Sequence, residues 1–300
     1  MKVIRYSKYG SPAQLKVEES PLLALKKHEV LVKVHASAVN DYDRSMVRGK
    51  PVLYRLLFGL FKPKHPTPGM ELSGTIEKVD EGANSFKVGD EVFGDISGFG
   101  FGAMAEFIAI HENALVRKPS HLSRTEAASL PHASLLAWQS IQPHLNNLKG
   151  GQILINGGGG GVGTFGVQIL KQYGSDATGV DTGPKLQMMS SLGFDEVIDY
   201  KQIDFTKNGI QYNLILDCKT NRSPFSYLAS LKPKGIYITV GGSLSKILSL
   251  VLLKGLIQLF TGKSLSILAL KPNQGIEGVL QMHQNGHLKC IIDGPYPLKQ

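Results

Sequence analysis

Five consecutive glycines, Gly157–Gly161, constrain the fold of this chain more than any other feature. The segment before them, Gln152–Asn156, is apolar enough to form a buried strand. The segment after them, Val162–Tyr173, carries apolar residues at helical spacing. The three segments together predict a strand, a tight turn and a helix. Glycine suits such a turn because, without a Cβ, it adopts positive φ at little cost.

Within this turn and helix start, Gly158, Gly160 and Gly163 satisfy the pattern G-x-G-x-x-G. Between a strand and a helix, that pattern is typical of a loop that binds the pyrophosphate of a dinucleotide, through backbone amides and the helix dipole. A glycine-rich turn without a ligand is the alternative. We predict that Gly158, Gly160, Gly161, Val162 and Gly163 contact a cofactor.

Composition limits the class of protein. The 300 residues are 42% hydrophobic and 19% charged, which is typical of one or two folded domains. The net charge of +9 favours an anionic partner, but the 33 lysines and arginines are scattered. A basic enzyme with an anionic cofactor is therefore favoured over a nucleic-acid-binding module. Only Cys218 and Cys290 occur, and no secretory signal is present, so we expect a reducing, cytoplasmic location.

The predicted pattern of secondary structure changes near residue 151. Before it, the pattern is rich in strands and ends in one helical stretch; the predicted elements are strands Glu29–His35, Leu72–Val79, Glu91–Gly94 and Ala103–Ile110, and helix Ser123–Leu148. After it, strands alternate with helices; these are strands Gln152–Asn156, Asp176–Asp181, Glu196–Tyr200, Leu214–Asp217 and Gly235–Val240, and helices Val162–Tyr173, Lys185–Leu192 and Pro224–Leu231. Such alternation predicts a parallel, doubly wound sheet.

Several motifs stand in an order that resembles a known superfamily. Four positions match an N-x-x-D segment followed by arginine and glycine; they are Asn40, Asp43, Arg48 and Gly49. Pro68–Gly74, Phe86–Gly94, Leu130-Pro131 and the glycine loop follow in sequence. In this order the motifs resemble the zinc-free, quinone oxidoreductase-like branch of the medium-chain dehydrogenase/reductase superfamily.

The resemblance implies an α/β protein with a GroES-like β-barrel catalytic domain at 1–118 and a Rossmann domain, a doubly wound parallel sheet, at 119–286. It places the active site between the two domains. Residues 287–300 would return to the catalytic domain. Because relatives usually continue with a further helix and strand, we expect this return segment to be truncated.

The ligands that zinc-dependent relatives use are missing. Those relatives hold catalytic zinc with a cysteine, a His-Glu pair and a distant cysteine. Here Asn40 and Asp41 stand in the first cysteine region, and Gly69-Met70-Glu71 stands in place of Gly-His-Glu. The sequence therefore predicts no bound metal.

Two signals about the nicotinamide cofactor conflict. Asp181 ends the second strand of the predicted sheet, where a carboxylate accepts hydrogen bonds from a ribose and favours NADH. Lys185 and Tyr200 stand where, by the resemblance, NADPH-using members hold the 2′-phosphate. A solvated Lys185, or an Asp181 that turns away and pairs with a turn amide, are the alternatives. We predict NADPH, with NADH possible.

Without a metal, the resemblance implies hydride transfer to an electron-poor acceptor, a quinone or an α,β-unsaturated carbonyl. Asn40 is the first candidate to donate a hydrogen bond to the acceptor oxygen, and Tyr42 the second. Asp43 is a candidate catalytic residue, or else it organises the turn. Val240 and Gly241 follow the last predicted strand, where family members contact the nicotinamide amide. A zinc-free, NAD-linked alcohol dehydrogenase and a cofactor-binding protein with a structural or regulatory role are the alternatives.

The most apolar stretch is Leu244–Leu270. Lys246, Lys254 and Lys263 interrupt it before it reaches about 20 apolar residues, so no integral membrane span is predicted. We expect an apolar lid over a small hydrophobic substrate, followed by an edge strand at Ser264–Leu270 that pairs two copies in a homodimer. A plain buried helix and peripheral contact with a membrane are the alternatives.

Overall fold

The computed structural model describes residues 1–298, apart from the Leu57 side chain. The chain forms two compact units. The first contains Met1–His132, Lys271–Gln274 and residues 292–298, and the second contains Ala133–Leu270 and Gly275–Ile291. The first unit thus extends beyond residue 118, because the helix at Arg124–Ser129 packs against its sheet.

The first unit contains two antiparallel sheets. Strands β1 and β2 pair with each other, and the other five strands form a sheet in the order β6-β3-β4-β5-β7. The strands are β1 Lys2–Arg5, β2 Lys16–Glu19, β3 Glu29–Ala36, β4 Glu71–Val79, β5 Glu91–Asp95, β6 Phe107–His111 and β7 Val116–Arg117; the helices are α1 Asp41–Arg48, α2 Leu53–Phe58 and α3 Arg124–Ser129. Buried aliphatic side chains such as Val32, Leu72 and Ile76 form its core.

The second unit is built on one six-stranded parallel sheet in the order β10-β9-β8-β11-β12-β13. Its strands are β8 Gln152–Asn156, β9 Asp176–Asp181, β10 Glu196–Asp199, β11 Tyr212–Asp217, β12 Leu231–Thr239 and β13 Ser264–Ile267. Its helices are α4 Pro131–Ile141, which begins in the first unit, α5 Leu145–Leu148, α6 Gly161–Gln172, α7 Gly183–Ser191, α8 Pro224–Ala229, α9 Leu244–Thr261 and α10 Ile276–Gln284. The order reverses at β8, whose neighbours are β9 and β11, so the predicted doubly wound sheet is confirmed.

Several predicted elements differ from the structure in their bounds. Strand β12 begins at Leu231 rather than Gly235, and strand β13 ends at Ile267 rather than Leu270. The helical stretch 123–148 is broken into α3, α4, a 3₁₀ turn and α5, because Pro131 and Pro143 cannot continue a helix already under way. The helix from Pro224 ends at Ala229, and Leu231 already belongs to β12. The strand predicted from Ala103 begins only at Phe107.

The apolar stretch after β12 forms a helix that is only partly buried. Helix α9 buries Leu250 and Ile257 but leaves Leu252, Leu259 and Phe260 72%, 77% and 80% exposed. By length and composition it is the one helix in the described chain that is long and apolar enough to cross a membrane. The interpretation as a plain buried helix is therefore wrong. Strand β13 lies at the edge of the sheet, as predicted.

Candidate active site and dinucleotide loop

Asn40 is the N-cap residue of α1, at the end of a short extended segment after β3. Its backbone amide donates to Asp43 Oδ2 at 3.0 Å, which is the geometry of a helix cap. The other oxygen of Asp43 accepts from the amide of Gly69 at 2.9 Å. Asp43 is buried, and burial raises the pKa of its carboxyl although the two amides oppose this. Both oxygens contact main chain, which favours the turn-organising interpretation of Asp43.

The side chain of Asn40 is held by a second carboxylate. Asn40 Nδ2 donates to Glu71 Oε2 at 2.5 Å, and the amide of His132 donates to Glu71 Oε1 at 2.6 Å. Glu71 is fully buried, and burial raises its pKa to about 7. An asparagine amide carries two N–H bonds, and this contact uses one of them. Asn40 is therefore fixed in orientation with a second donor left for another oxygen.

The imidazole of His132 extends this cluster. His132 Nδ1 lies 2.8 Å from Asp95 Oδ2, and Asp95 Oδ1 accepts from the amide of Ser97 at 2.9 Å. Burial alone would lower the pKa of His132. The hydrogen bond to Asp95 and the neighbouring carboxylates outweigh burial and raise it. We call Asn40, Glu71, Asp95 and His132 the acid–imidazole cluster.

The sheet explains why these residues meet. Strands β4 and β5 pair antiparallel with Glu71 directly opposite Asp95. Residues opposite each other in such a pair place their side chains on the same face. His132 enters from the start of α4, directly after Pro131. His132 and Asp95 were not predicted as functional residues, because no motif spacing links them and only the fold brings them together.

Tyr42 belongs to an aromatic group in the same unit. Its ring centroid lies 5.7 Å from that of Tyr54, 5.9 Å from Phe58 and 6.0 Å from Phe101, with the last pair stacked. Burial raises the pKa of Tyr42 to about 12, so its hydroxyl keeps its proton at neutral pH. Tyr42 therefore combines an apolar platform with one O–H donor.

The glycine loop in the second unit has the predicted geometry. The amides of Gly157 and Gly158 donate to the Val180 carbonyl at 2.8 and 3.0 Å, which folds the turn back over β9. A Cβ on Gly163 would lie 2.5 Å from Gly158 Cα and 2.6 Å from Gly157 O. Only glycine therefore lets α6 pack so closely on this turn.

The start of α6 offers backbone donors. Its first helical hydrogen bond runs from Thr164 N to Gly160 O at 2.9 Å, so the amides of Gly161, Val162 and Gly163 precede it. These amides lie at the positive end of a 12-residue helix. A Cβ on Gly160 would meet only Gly157 O, at 3.4 Å, so the protein itself does not require glycine there. Both observations fit a pyrophosphate approaching the backbone at this point.

Asp181, Lys185 and Tyr200 meet at the edge of this loop. Asp181 is buried; its Oδ2 accepts from Gly159 N at 3.0 Å and its Oδ1 from Thr182 N at 2.8 Å. Lys185 Nζ lies 3.5 Å from Asp181 Oδ2, and the amide of Tyr200 donates to the Asp181 carbonyl at 3.1 Å. Asp181 thus pairs with turn amides, while the side chains of Lys185 and Tyr200 stay partly exposed.

Val240 and Gly241 follow β12 directly. The amide of Val240 donates to the Asp217 carbonyl at 3.0 Å, and that of Gly241 to Thr239 Oγ1 at 3.2 Å. The buried Asp217 carboxylate accepts from Asn156 Nδ2 at 2.8 Å. These bonds tie the carboxyl ends of β8, β11 and β12 together. Sequence reasoning did not single out Asp217.

The site of catalytic zinc in zinc-dependent relatives does not fit a zinc ion here. Asn40 and Met70 replace a thiolate and an imidazole, and the carboxylate of Glu71 already accepts two hydrogen bonds. Throughout residues 1–298, no group of three or more His, Cys, Asp or Glu side chains is placed to hold a metal ion. Metal independence stays a prediction.

Comparisons with known proteins match both parts of the chain. The alcohol dehydrogenase GroES-like domain family matches residues 26–120, and the zinc-binding dehydrogenase family matches residues 192–300. The chain is 28% identical over 314 residues to a chloroplast envelope quinone oxidoreductase homolog from Arabidopsis thaliana, covering 100% of this chain and 92% of that protein.

Two further comparisons are informative. A 2-methylene-furan-3-one reductase from Solanum lycopersicum is 33% identical over 230 residues, which span 72% of this chain and 56% of that protein. The solved structure of Escherichia coli quinone oxidoreductase complexed with NADPH shares the fold, with a TM-score of 0.80 at 19% identity over 98% of this chain and 91% of that one. The predicted fold class is confirmed.

Proposed function

We propose that this chain, which belongs to the quinone oxidoreductase-like branch of the medium-chain dehydrogenase/reductase superfamily, is an NADPH-dependent oxidoreductase that reduces a quinone or an α,β-unsaturated carbonyl. The observation that carries the proposal is the glycine loop with the partly exposed Lys185 and the exposed Tyr200 beside it. Relatives named as quinone oxidoreductases and as a 2-methylene-furan-3-one reductase, and a neighbour complexed with NADPH, support it.

The residues of the second unit bind the cofactor. The amides of Gly161, Val162 and Gly163 receive the pyrophosphate, and Lys185 with Tyr200 receives the 2′-phosphate. Asp181 supports the loop through Gly159 and Thr182. Backbone groups at Val240 and Gly241 contact the nicotinamide amide. When bound, the reduced nicotinamide supplies a hydride to an electron-poor carbon.

The residues of the first unit act on the acceptor. As hydride arrives, negative charge moves to the acceptor oxygen, which the second N–H of Asn40 and the hydroxyl of Tyr42 stabilise. Glu71 holds Asn40 in place through a 2.5 Å bond, so the donor needs no rearrangement. The rings around Tyr42 give an apolar surface for a planar acceptor.

Reduction of the acceptor also consumes a proton. Burial raises the pKa of Glu71 to about 7, and the pKa of His132 is also raised, so the acid–imidazole cluster holds a proton near neutral pH. We assign His132 as the group that holds this proton and Asp95 as its positioning residue.

The proposal also includes a homodimer formed through β13 and a cytoplasmic location.

Replacing Asp95 with asparagine should shift the pH profile. The Asp95 carboxylate favours the charged imidazole, so its loss should lower the pKa of His132 and move the alkaline limb of kcat/KM to lower pH. The His132 titration is followed by NMR beside the rate profile, and the exposed Glu81→Gln serves as control. An unchanged His132 titration in Asp95→Asn would contradict the role of Asp95.

Chelation should leave turnover unchanged. Asn40 and Met70 stand where relatives use zinc ligands, so prolonged dialysis against a strong chelator removes nothing that the reaction needs. Metal content by mass spectrometry and rate are measured on the same samples. Stoichiometric zinc that is lost together with activity would show that the prediction is wrong.

The proposed function is tested by steady-state rates with NADPH and NADH against a panel of quinones and enones, with oxidation of simple alcohols by NAD measured in parallel. We expect turnover of at least one quinone or enone with NADPH. Oxidation of alcohols with NAD, and no enone or quinone turnover, would identify the alcohol dehydrogenase alternative. Cofactor binding without any turnover would support a structural or regulatory role.

A further inference from the structure

Helix α9 has two faces of different environment. Leu250 and Ile257 belong to the core of the second unit, and Leu253 packs against them. The opposite face is apolar but exposed to solvent, and its large side chains are Leu248, Val251, Leu252, Leu256, Leu259 and Phe260. Because an α-helix turns by about 100° per residue, five of these side chains lie on one side of its axis; they are Leu248, Val251, Leu252, Leu256 and Leu259. An apolar face of this extent marks an interaction surface.

The charged residues of the α9 segment itself have one sign. Between Leu244 and Leu270 the sequence contains no Asp or Glu, and its only charged residues are Lys246, Lys254 and Lys263. Lys263 Nζ donates to the Leu228 carbonyl at 2.7 Å, whereas Lys254 is exposed. Within this segment, the exposed leucines are therefore accompanied by positive charge alone.

A segment of the first unit also combines exposed apolar side chains with basic residues. Arg48–Lys64 contains five lysines and arginines and no acidic residue. Arg48, Lys50, Lys62 and Lys64 are exposed, and so are large apolar side chains that include Leu56 and, at 90%, Phe61. Arg55 is the exception among the cations, because it donates to the Gly49 carbonyl at 3.1 Å and lies over the Tyr9 ring.

The position of α9 in the sheet excludes a membrane-spanning role. The helix connects β12 to β13, and these two strands are adjacent and parallel in one sheet. An 18-residue helix is about 27 Å long, close to the hydrocarbon thickness. If α9 crossed a bilayer, β12 and β13 would lie on opposite sides of it and could not pair. A helix with one core face and one apolar exposed face instead lies in the plane of an interface.

We propose that the exposed face of α9 and the segment Arg48–Lys64 each bind the surface of a bilayer that contains anionic lipid. The leucines and phenylalanines enter the boundary between headgroups and acyl chains, and the lysines and arginines contact lipid phosphates. A second copy of the chain is the other candidate occupant. Pairing like faces would bring cations together, whereas an anionic surface supplies the opposite charge, so the charge pattern favours lipid.

The test is flotation with vesicles of phosphatidylcholine alone and of phosphatidylcholine mixed with phosphatidylglycerol. We expect the chain to float with the anionic vesicles, to bind the neutral ones far less, and to be released by salt. The double variant Leu252→Asp/Leu259→Asp should lower the bound fraction about tenfold or more. Val52→Asp/Phe61→Asp tests the second segment in the same way.

The control is Val88→Asp/Ile203→Asp, which adds the same two negative charges at exposed apolar side chains outside both segments. Thermal unfolding of each variant shows that the fold is kept. Wild-type protein that stays unbound with anionic vesicles, or a Leu252→Asp/Leu259→Asp variant that floats like the wild type, would overturn the proposal for α9. So would a wild-type dimer that this variant dissociates without any vesicle binding, because a second copy would then cover the face. None of these measurements needs turnover.

Discussion

Replacing Gly163 with alanine is expected to abolish tight NADPH binding and to destabilise the second unit. The new Cβ would lie 2.5 Å from Gly158 Cα and 2.6 Å from Gly157 O, and these backbone atoms cannot move aside without opening the turn. Overpacking of this kind costs about 1–3 kcal/mol of folding free energy. Displacement of the turn should also weaken NADPH binding, roughly a hundredfold, a loss of about 2.7 kcal/mol. Calorimetric titration and thermal unfolding measure the two effects.

Gly160→Ala is the matched variant in the same loop. Its Cβ meets only Gly157 O, at 3.4 Å, and its φ of −97° suits any residue, so the free protein should keep its melting temperature. NADPH binding should still weaken, because the Cβ occupies the space where the pyrophosphate approaches. If Gly160→Ala bound NADPH as tightly as the wild type, the pyrophosphate would not lie at this loop.

Replacing Lys185 with alanine is expected to weaken NADPH binding about ten- to a hundredfold while changing NADH binding little. A hydrogen bond to a charged group is worth about 1.5–3 kcal/mol, and only NADPH carries the phosphate that receives it. Asp181 is engaged by Gly159 and Thr182, so its carboxylate is directed at the loop. Dissociation constants for both cofactors measure the effect.

The charge-matched control is Lys207→Ala, an exposed lysine of the same unit. It should leave both affinities unchanged. A wild-type preference for NADH that Asp181→Ala reverses would mean that Asp181, rather than Lys185, selects the cofactor.

The glycine loop and its strands were predictable because their signals are local. The predicted bounds of β8 and β9 agree with the structure, since an apolar run followed by glycines leaves few other conformations. The phosphate-binding roles that we propose for Lys185 and Tyr200 came only from the family resemblance. The structure adds that the Tyr200 amide contacts the Asp181 carbonyl, which follows from the pairing of β9 with β10.

The acid–imidazole cluster was not predictable in the same way. Glu71 and Asp95 meet because β4 and β5 pair in one register, and a shift of one residue would separate their side chains. The environment of helix α9 could not be predicted from the sequence for a different reason. Its leucines occur on every side, so its composition fits a core helix, a lid and a membrane surface equally well. Only the packing shows that one side has partners and the other has none in the described chain.

Transfer of an isotopic label tests directly whether bound NADPH donates a hydride to the acceptor. NADPH deuterated at the reactive ring carbon is mixed with the protein and an enone that the panel identifies, and the product is examined by mass spectrometry and NMR. We expect one deuterium at the β-carbon of the reduced product, with the second hydrogen taken from solvent. Two results would contradict hydride donation by NADPH. One is a reduced product without deuterium, whichever of the two hydrogens at the reactive carbon is labelled. The other is bound NADPH that is never oxidised.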